Sequence, residues 1–481
     1  MAKRSATRGW LGQWGMRRPV RSVRHAPPCP AVPGPRGAPW VGVALHLRHD
    51  PLRVLLDAAH RFDEVVFLGH CPRPLYLINH PTLIQQIVEQ PAHYTKRPSV
   101  TRITPLFGAG LTTSDGVLWQ RQRHLLTPAW QSQPLADLVS VVTAATAEML
   151  ARWHPTIQRG QPLDLTAALG DLTQTIMLRV LFGTEAPGPG TAVRAAVQTA
   201  LASINQRIWA FWALPLALPT PRNWRLRHAL QTLDTFVAQQ ILRRRQPRSG
   251  PGDLLTQLVA ARDAATGEAM PTTHLRDEIL TLWMAGHTTM TAALAWTWLL
   301  VCQQPPIARR LQEEVCNAPW DGVPTAQDLP TLAYTRLVIA EALRLYPPTW
   351  VTARTPVATE DLGGVAIPAG AVLLLSPYTM HRHPAFWEEP EHCMPERFLR
   401  ERSLGRPQYA YFPFGGGPRR CLGQGFALMA MQVILALMAR TYRLRLVPGP
   451  PVWPAPTLTL RPSRALLCTG AVQEPLPKPG R

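Results

Sequence analysis

The sequence predicts a mostly α-helical protein with a small β portion, built as one large domain. Three observations carry this expectation. Apolar residues repeat with helical periodicity from about residue 80 to about 350. Short runs rich in β-branched, aromatic and leucine residues stand near both ends of the chain, at 65–68, 75–78 and within 351–376. With 46% hydrophobic and only 17% charged residues, the 481-residue chain has the apolar content for a large core and is unlike a disordered sequence.

The elements follow in order. Residues 1–40 are basic and then Pro/Gly-rich, which predicts an extended arm, with the folded domain spanning 41–481. Residues 51–61 have a helical pattern, and the two short runs after them flank a Pro-rich turn. A long helix is expected at about 270–302. From Ile279 to Ala308 there is no Asp, Glu, Lys or Arg, long enough to imitate a membrane span. Gly286, His287, Thr288, Thr289 and Thr291 stand at its centre, however, where polar groups are costly in lipid. A helix buried in a large protein is apolar all round for the same reason, and that reading is preferred. The last clear helix is expected at about 422–440, with strand and loop after it.

The formal charge of +20 raises the question of nucleic acid. Seven of the positive charges (Lys3, Arg4, Arg8, Arg17, Arg18, Arg21, Arg24) precede the first acid, Asp50, and no nucleic-acid-binding motif accompanies them. No nucleic-acid partner is therefore expected. Seven cysteines with no Cys-x-x-Cys pair argue against a disulfide framework or a structural zinc site. The expected compartment is the reducing cytoplasm. The Arg-rich, acid-free N-terminus leaves a mitochondrial destination as the alternative.

The most informative stretch is Phe414-Gly-Gly-Gly-Pro-Arg-Arg-Cys421-Leu-Gly423. Three glycines allow a tight backbone and close approach to something flat. Cys421 precedes an apolar helical run, and a helix start together with Arg419 and Arg420 favours thiolate. Such a cysteine suits a haem ligand; a redox-active thiol and a buried inert one are the alternatives.

Phe414-x-x-Gly417-x-Arg419-x-Cys421-x-Gly423 resembles the haem-binding signature of the cytochrome P450 family, and further motifs of that family recur in order. Glu341-Ala-Leu-Arg344 resembles its Glu-x-x-Arg helix, and Pro395-Glu-Arg397-Phe398 the segment whose arginine locks that ion pair. Residues three apart share a helix face, so the pair can form and be buried. Trp119 and Arg123 resemble the Trp-x-x-x-Arg of the haem-edge helix. Arg354, like Arg419, matches a propionate-binding arginine. Ala285-Gly286-His287-Thr288-Thr289 resembles the distal signature. There the resemblance gives Gly286 the role of leaving room for O2 over the iron, and Thr289 that of a hydroxyl donating to bound oxygen. Thr288 stands where the family usually has an acid, and Met290 replaces the second hydroxyl residue. Waters, His287 or a substrate hydroxyl are the expected substitutes in proton delivery.

The resemblance implies haem b held by the Cys421 thiolate between the distal and proximal helices. It also implies a monooxygenase inserting one atom of O2 into a lipophilic substrate by hydroxylation or epoxidation. Nothing in the chain resembles a flavin or iron–sulfur domain, so electrons are expected from a ferredoxin or flavodoxin with its NAD(P)H reductase, docking near Arg420 and Arg121. The apolar stretch 208–219 corresponds to the lid over the substrate channel and suits peripheral membrane contact; 98–115 and 349–353 correspond to the other pocket walls. A peroxide-driven peroxygenase or isomerase on the same haem is the alternative enzyme, and a haem-binding sensor or carrier the alternative outside enzymes.

Overall fold

A computed structural model describes residues 32–37, 43–70, 73–96, 99–183, 190–210, 214–246, 253–263, 266–320 and 322–473. Most of the expected arm, Cys29, Cys71 and part of the expected lid lie outside these residues. Within the arm, residues 32–37 run beside the first strand, where the Phe67 amide donates to the Pro33 carbonyl (3.0 Å).

Eleven helices of nine residues or more form the bulk of the described chain: α1 Pro51–Arg61, α2 Pro81–Glu89, α3 Gly116–Gln131, α4 Leu135–Gln158, α5 Leu165–Phe182, α6 Thr191–Trp209, α7 Pro221–Arg245, α8 Thr272–Gln303, α9 Pro305–Asn317, α10 Ala333–Leu345 and α11 Gln424–Thr441. Local chemistry sets several starts. Pro51, Pro81, Pro221 and Pro305 occupy first-turn positions, where a missing N–H is no loss. Asp50 and Asp164 cap α1 and α5 by accepting from backbone amides.

Twelve short strands accompany them among the described residues. β1 Val65–His70, β2 Pro74–Ile78, β3 Tyr94–Thr95, β5 Thr352–Pro356 and β8 Val372–Leu375 form one sheet in the order β1-β2-β8-β5-β3. β4 Leu163–Asp164, β9 Tyr442–Leu446 and β12 Leu467–Val472 form a second in the order β4-β12-β9. β6 Glu360–Leu362 pairs with β7 Val365–Ile367, and β10 Pro454–Pro456 with β11 Leu460–Pro462.

The main core joins α4, α5, α8 and α11, with Trp283, Trp296, Leu294 and Ile434 fully buried. This explains the charge-free run: α8 passes through the core. Among the described residues, α5 and α11 are long and apolar enough to cross a membrane, and each is mostly buried inside the fold.

Candidate active site

The loop from Phe412 to Gly423 is shaped by its glycines. Gly415 (φ 69°) and Gly417 (φ 59°) take left-handed conformations. A Cβ on Gly416 would strike the Tyr409 ring, and one on Gly417 the Val88 carbonyl at the end of α2. The close approach that these glycines permit is thus to protein. The loop closes through Gly415 N–H to the Phe412 carbonyl and Cys421 N–H to the Phe414 carbonyl, each 3.0 Å. Phe414 packs half-buried on the core, and Gly423 caps α11 with Trp130 3.4 Å from where its Cβ would stand.

Cys421 is exposed as a residue, yet it sits deep among protein atoms, and that depth governs its acidity. Desolvation pushes its thiol up, against the Gly423 amide and the charges of Arg123 and Arg420, which pull it down. The expected net stabilisation of thiolate by the helix start and arginines is therefore not met in the protein alone.

Beside this loop lies a surplus of positive charge. Arg354 is 6% exposed and, among the described residues, donates to the Thr352 hydroxyl (3.1 Å) and its neighbour's carbonyl (2.9 Å). Arg419 lies over the Trp119 ring, 4.2 Å from its centroid. It pairs with Asp115, and its Nε, buried, lacks a hydrogen-bond partner. Lys96 joins them, its ammonium donating to the Thr112 carbonyl (3.1 Å). Desolvation first, then Arg354 and Arg419, push Lys96 down to about 7; desolvation and Arg419 push Arg354 down to about 10. Asp115 is the carboxylate that serves all three cations. Desolvation opposes its charge, but hydrogen bonds from Thr95 and the Lys96 amide, with the charge of Arg419, hold it below the usual range. Arg123, lowered by desolvation, feels Cys421 as its charge partner.

On α8, the Thr288 hydroxyl donates to the Met284 carbonyl (2.8 Å) and the Thr289 hydroxyl to the Ala285 carbonyl (2.7 Å). Thr289 in this state directs its proton at its own helix. Ala285, one turn before Thr289, is exposed although Trp283 and Met284 beside it are fully buried. At Gly286 a Cβ would collide with the side chain of Met177 on α5, so its missing side chain makes room for a neighbouring helix. His287 also faces α5: its Nδ1 lies 3.1 Å from the Thr173 hydroxyl, which is 2.7 Å from that of Thr291. Desolvation lowers His287 to about 4, leaving it neutral at pH 7 and a poor proton source.

The cytochrome P450 family model matches residues 32–469. The chain belongs to the cytochrome P450 family. It is 34% identical over 430 residues to cyclooctatin synthase of Streptomyces melanosporofaciens, covering 89% of this chain and 92% of that one. It is 32% identical to cyclooctat-9-en-7-ol 5-monooxygenase of the same organism (86% and 90% covered). With pentalenene oxygenase of Streptomyces avermitilis the identity is 30% (90% and 95%). The crystal structure of the cytochrome P450DA heme domain shares the fold at a TM-score of 0.83 and 24% identity, covering 92% of this chain and 98% of that one. The protein is thus a P450 monooxygenase, and members of the family bind haem through a cysteine thiolate.

The residues present fit haem. Lys96, Arg354 and Arg419 share one carboxylate between them, and Arg419 Nε is unsatisfied. A group bringing two carboxylates would neutralise that surplus. Lys96 was absent from the sequence expectation: β3 pairs Thr95 with Thr355 of β5, which sets the lysine beside Arg354 from far along the chain.

Glu341 and Arg344, both 0% exposed, form a bidentate pair at 2.8 Å, and Arg397 reaches Glu341 at 3.1 Å. Backbone carbonyls of His381, Pro390 and His392 take the remaining Arg344 donors, so the buried charges are fully served. The expected pocket walls also meet. Arg102 donates to the carbonyls of Arg207, Ile208 and Ala210 at the end of α6, tying the 99–115 loop to the start of the expected lid. Trp209 stacks on Trp350 (6.2 Å, 14°), and their indole N–H groups donate to the carbonyls of Pro456 and Thr457. The 99–115 loop is further clasped from α8: Asp277 accepts from Ala109 N–H (2.8 Å) and Glu278 from Leu111 N–H (3.0 Å). Arg121, expected at the docking face, has partners within the chain. Its guanidinium pairs with Asp263 (2.8 Å) and Glu268 (2.9 Å), while Arg420 is exposed and bonds Gln424.

Proposed function

We propose that this P450 hydroxylates or epoxidises a lipophilic terpene-like hydrocarbon, with Cys421 as the haem ligand. The observation that carries the ligand assignment is the partly unpaired cation cluster of Lys96, Arg354 and Arg419 beside the Cys421 loop. Haem bound there supplies the activation of O2. The chain's own contribution is to bind and orient. Arg354, Arg419 and Lys96 would hold the propionates, Trp119 is the platform that fixes the Arg419 plane, and Arg123 lends positive charge near the Cys421 sulfur. The half-apolar wall of Trp209, Trp350 and the end of α6 excludes water from the substrate side.

The substrate class is supported by the names of the relatives above and by this aromatic wall. Electrons are assigned to a separate ferredoxin or flavodoxin with its NAD(P)H reductase, with Arg420 on the docking face. The exposed Leu214, Leu218 and Trp224 near Arg222 and Arg225 support peripheral contact with an anionic membrane. The cytoplasm is the assigned compartment, in keeping with five described free thiols.

One observation favours a second reading, peroxide-driven turnover. Thr288 replaces the usual acid and gives its proton to Met284, and His287 is turned away. The reduced CO-difference spectrum of the wild type and of Cys421→Ser tests ligation. Cyclic terpene hydrocarbons are then screened for a spin-state shift, and product is measured with NAD(P)H plus partner against peroxide alone. A Cys421→Ser protein with an unchanged CO spectrum overturns the ligand assignment; the absence of any terpene-induced shift overturns the substrate class.

A further inference from the structure

Away from the haem site, two thiols meet. Cys302 lies in the last turn of α8 and Cys468 in β12, and both are free. Cys302 Sγ sits 3.7 Å from the Leu444 carbonyl of β9. In the β9–β12 pairing Cys468 faces Leu446 and Gly470 faces Leu444, so Cys468 is the diagonal neighbour of that residue on the same sheet face. The Cys468 side chain is fully buried and hydrogen-bonds Cys302, which is partly exposed. A cavity of about 220 Å³ opens alongside. Its lining includes Gln303, Leu446 and Leu467, which are chain or register neighbours of the two cysteines.

We propose that Cys302 and Cys468 are a peroxide-responsive thiol pair that closes to a disulfide, stapling the end of α8 to β12.

The asymmetry of the pair sets the order of events. Contact with Cys302, and then burial, keep Cys468 protonated. Cys302, partly exposed and with its own S–H turned to the Leu444 carbonyl, is the sulfur that peroxide meets first. In the first step the Cys302 sulfur attacks hydrogen peroxide. An S–O bond forms and the O–O bond breaks; Cys302 is oxidised to the sulfenic acid, and hydroxide leaves with the thiol proton as water. In the second step the Cys468 sulfur displaces the sulfenic oxygen, which leaves with the Cys468 proton as a second water, and the S–S bond forms. The sum is two thiols and one peroxide giving one disulfide and two waters. Cys302 is the partly exposed member of the pair, and Cys468 is in contact with it to resolve it.

The full-length, haem-loaded protein is treated with hydrogen peroxide in slight excess, quenched, and mapped by non-reducing peptide mass spectrometry. The expected result is a Cys302–Cys468 cross-linked peptide, about 2 Da lighter than the two thiols and removed by dithiothreitol. In Cys468→Ser, which cannot resolve, Cys302 sulfenic acid accumulates and is trapped by dimedone. In Cys302→Ser, Cys468 stays unmodified. Wild-type Cys302 passing to sulfinic acid without cross-linking overturns the proposal. So does a pair that remains as thiols while other cysteines oxidise, or a Cys468 that reacts without Cys302.

Discussion

Gly286 offers a sharp test of what a glycine in the distal helix is for. A Cβ built there lies 2.7 Å from Met177 Cε and 3.1 Å from Met177 Cγ, and Met177 is 1% exposed. Forcing a methyl group into that contact costs about 1–3 kcal/mol as overpacking. Alanine also gains about 1 kcal/mol over glycine in a helix interior, so Gly286→Ala alone should cost between about 0 and 2 kcal/mol. Met177→Ala alone leaves a cavity and costs about 2–5 kcal/mol. Combined, the clash is gone and only the helix gain remains, so Gly286→Ala becomes favourable by up to about 1 kcal/mol in the Met177→Ala background. The expected coupling is therefore about 1–3 kcal/mol. It is read from urea unfolding of the four haem-loaded proteins of the cycle, followed by tryptophan fluorescence and haem absorbance. Autoxidation of the oxygen complex is measured in parallel. Coupling below about 0.5 kcal/mol would refute the packing account. An autoxidation rate that follows residue 286 whatever stands at 177 would show a role for Gly286 at the oxygen.

Other consequences are as direct. Glu341→Gln leaves the Arg344 and Arg397 guanidinium groups buried without their shared carboxylate, so stability should fall by about 3–5 kcal/mol, seen as a lower urea midpoint and poor haem incorporation. Glu278, 0% exposed, has its carboxyl raised to about 8, mainly by desolvation. The unfolded chain ionises this group above about pH 4.5 while the folded one does not until about 8. Its contribution to stability therefore declines across that window by roughly 1.4 kcal/mol per pH unit. Glu278→Gln should flatten the fall of Tm between pH 5 and 8; a variant parallel to the wild type at every pH sinks this reading. Arg354→Met should fold yet release haem to an apoglobin acceptor about 10–100-fold faster, from the loss of a charge-assisted contact of about 1.5–3 kcal/mol.

What was legible in the sequence was what is local. Helices expected at about 270–302 and 422–440 appear at Thr272–Gln303 and Gln424–Thr441, because an unbroken apolar pattern with breakers at its ends is decided within a few turns. The spacing of Glu341 and Arg344 places them on one helix face in the same way. What escaped depends on partners far along the chain. Lys96 has no motif, and only the β3–β5 pairing brings it to Arg354. Gly286 is visible as a glycine, but that Met177 fills its space follows from how α5 crosses α8. Arg121 carries a charge that the sequence left free for a partner, and the loop at Asp263 and Glu268 had already claimed it. Glu278 did leave a trace: Asp277 and Glu278 are the last acids before a long charge-free run, and an acid at the edge of a buried helix must find internal donors.

The larger sheet also dictates the order of assembly during synthesis. β2 lies between β1, its hairpin partner, and β8, with which it pairs in parallel from Leu75↔Val372 to Ile78↔Leu375. A two-stranded hairpin is marginal by itself in water. When β1 and β2 leave the ribosome, roughly 300 residues remain to be made before β8 exists, some 15–60 s at ordinary elongation rates. For that interval the β2 edge stands open, while α4, α5 and α8, already made, can pack without α11, which completes the main core only after β8. A ribosome stalled before Val372 thus holds a partial helical core with an unguarded strand edge, a natural target for chaperones.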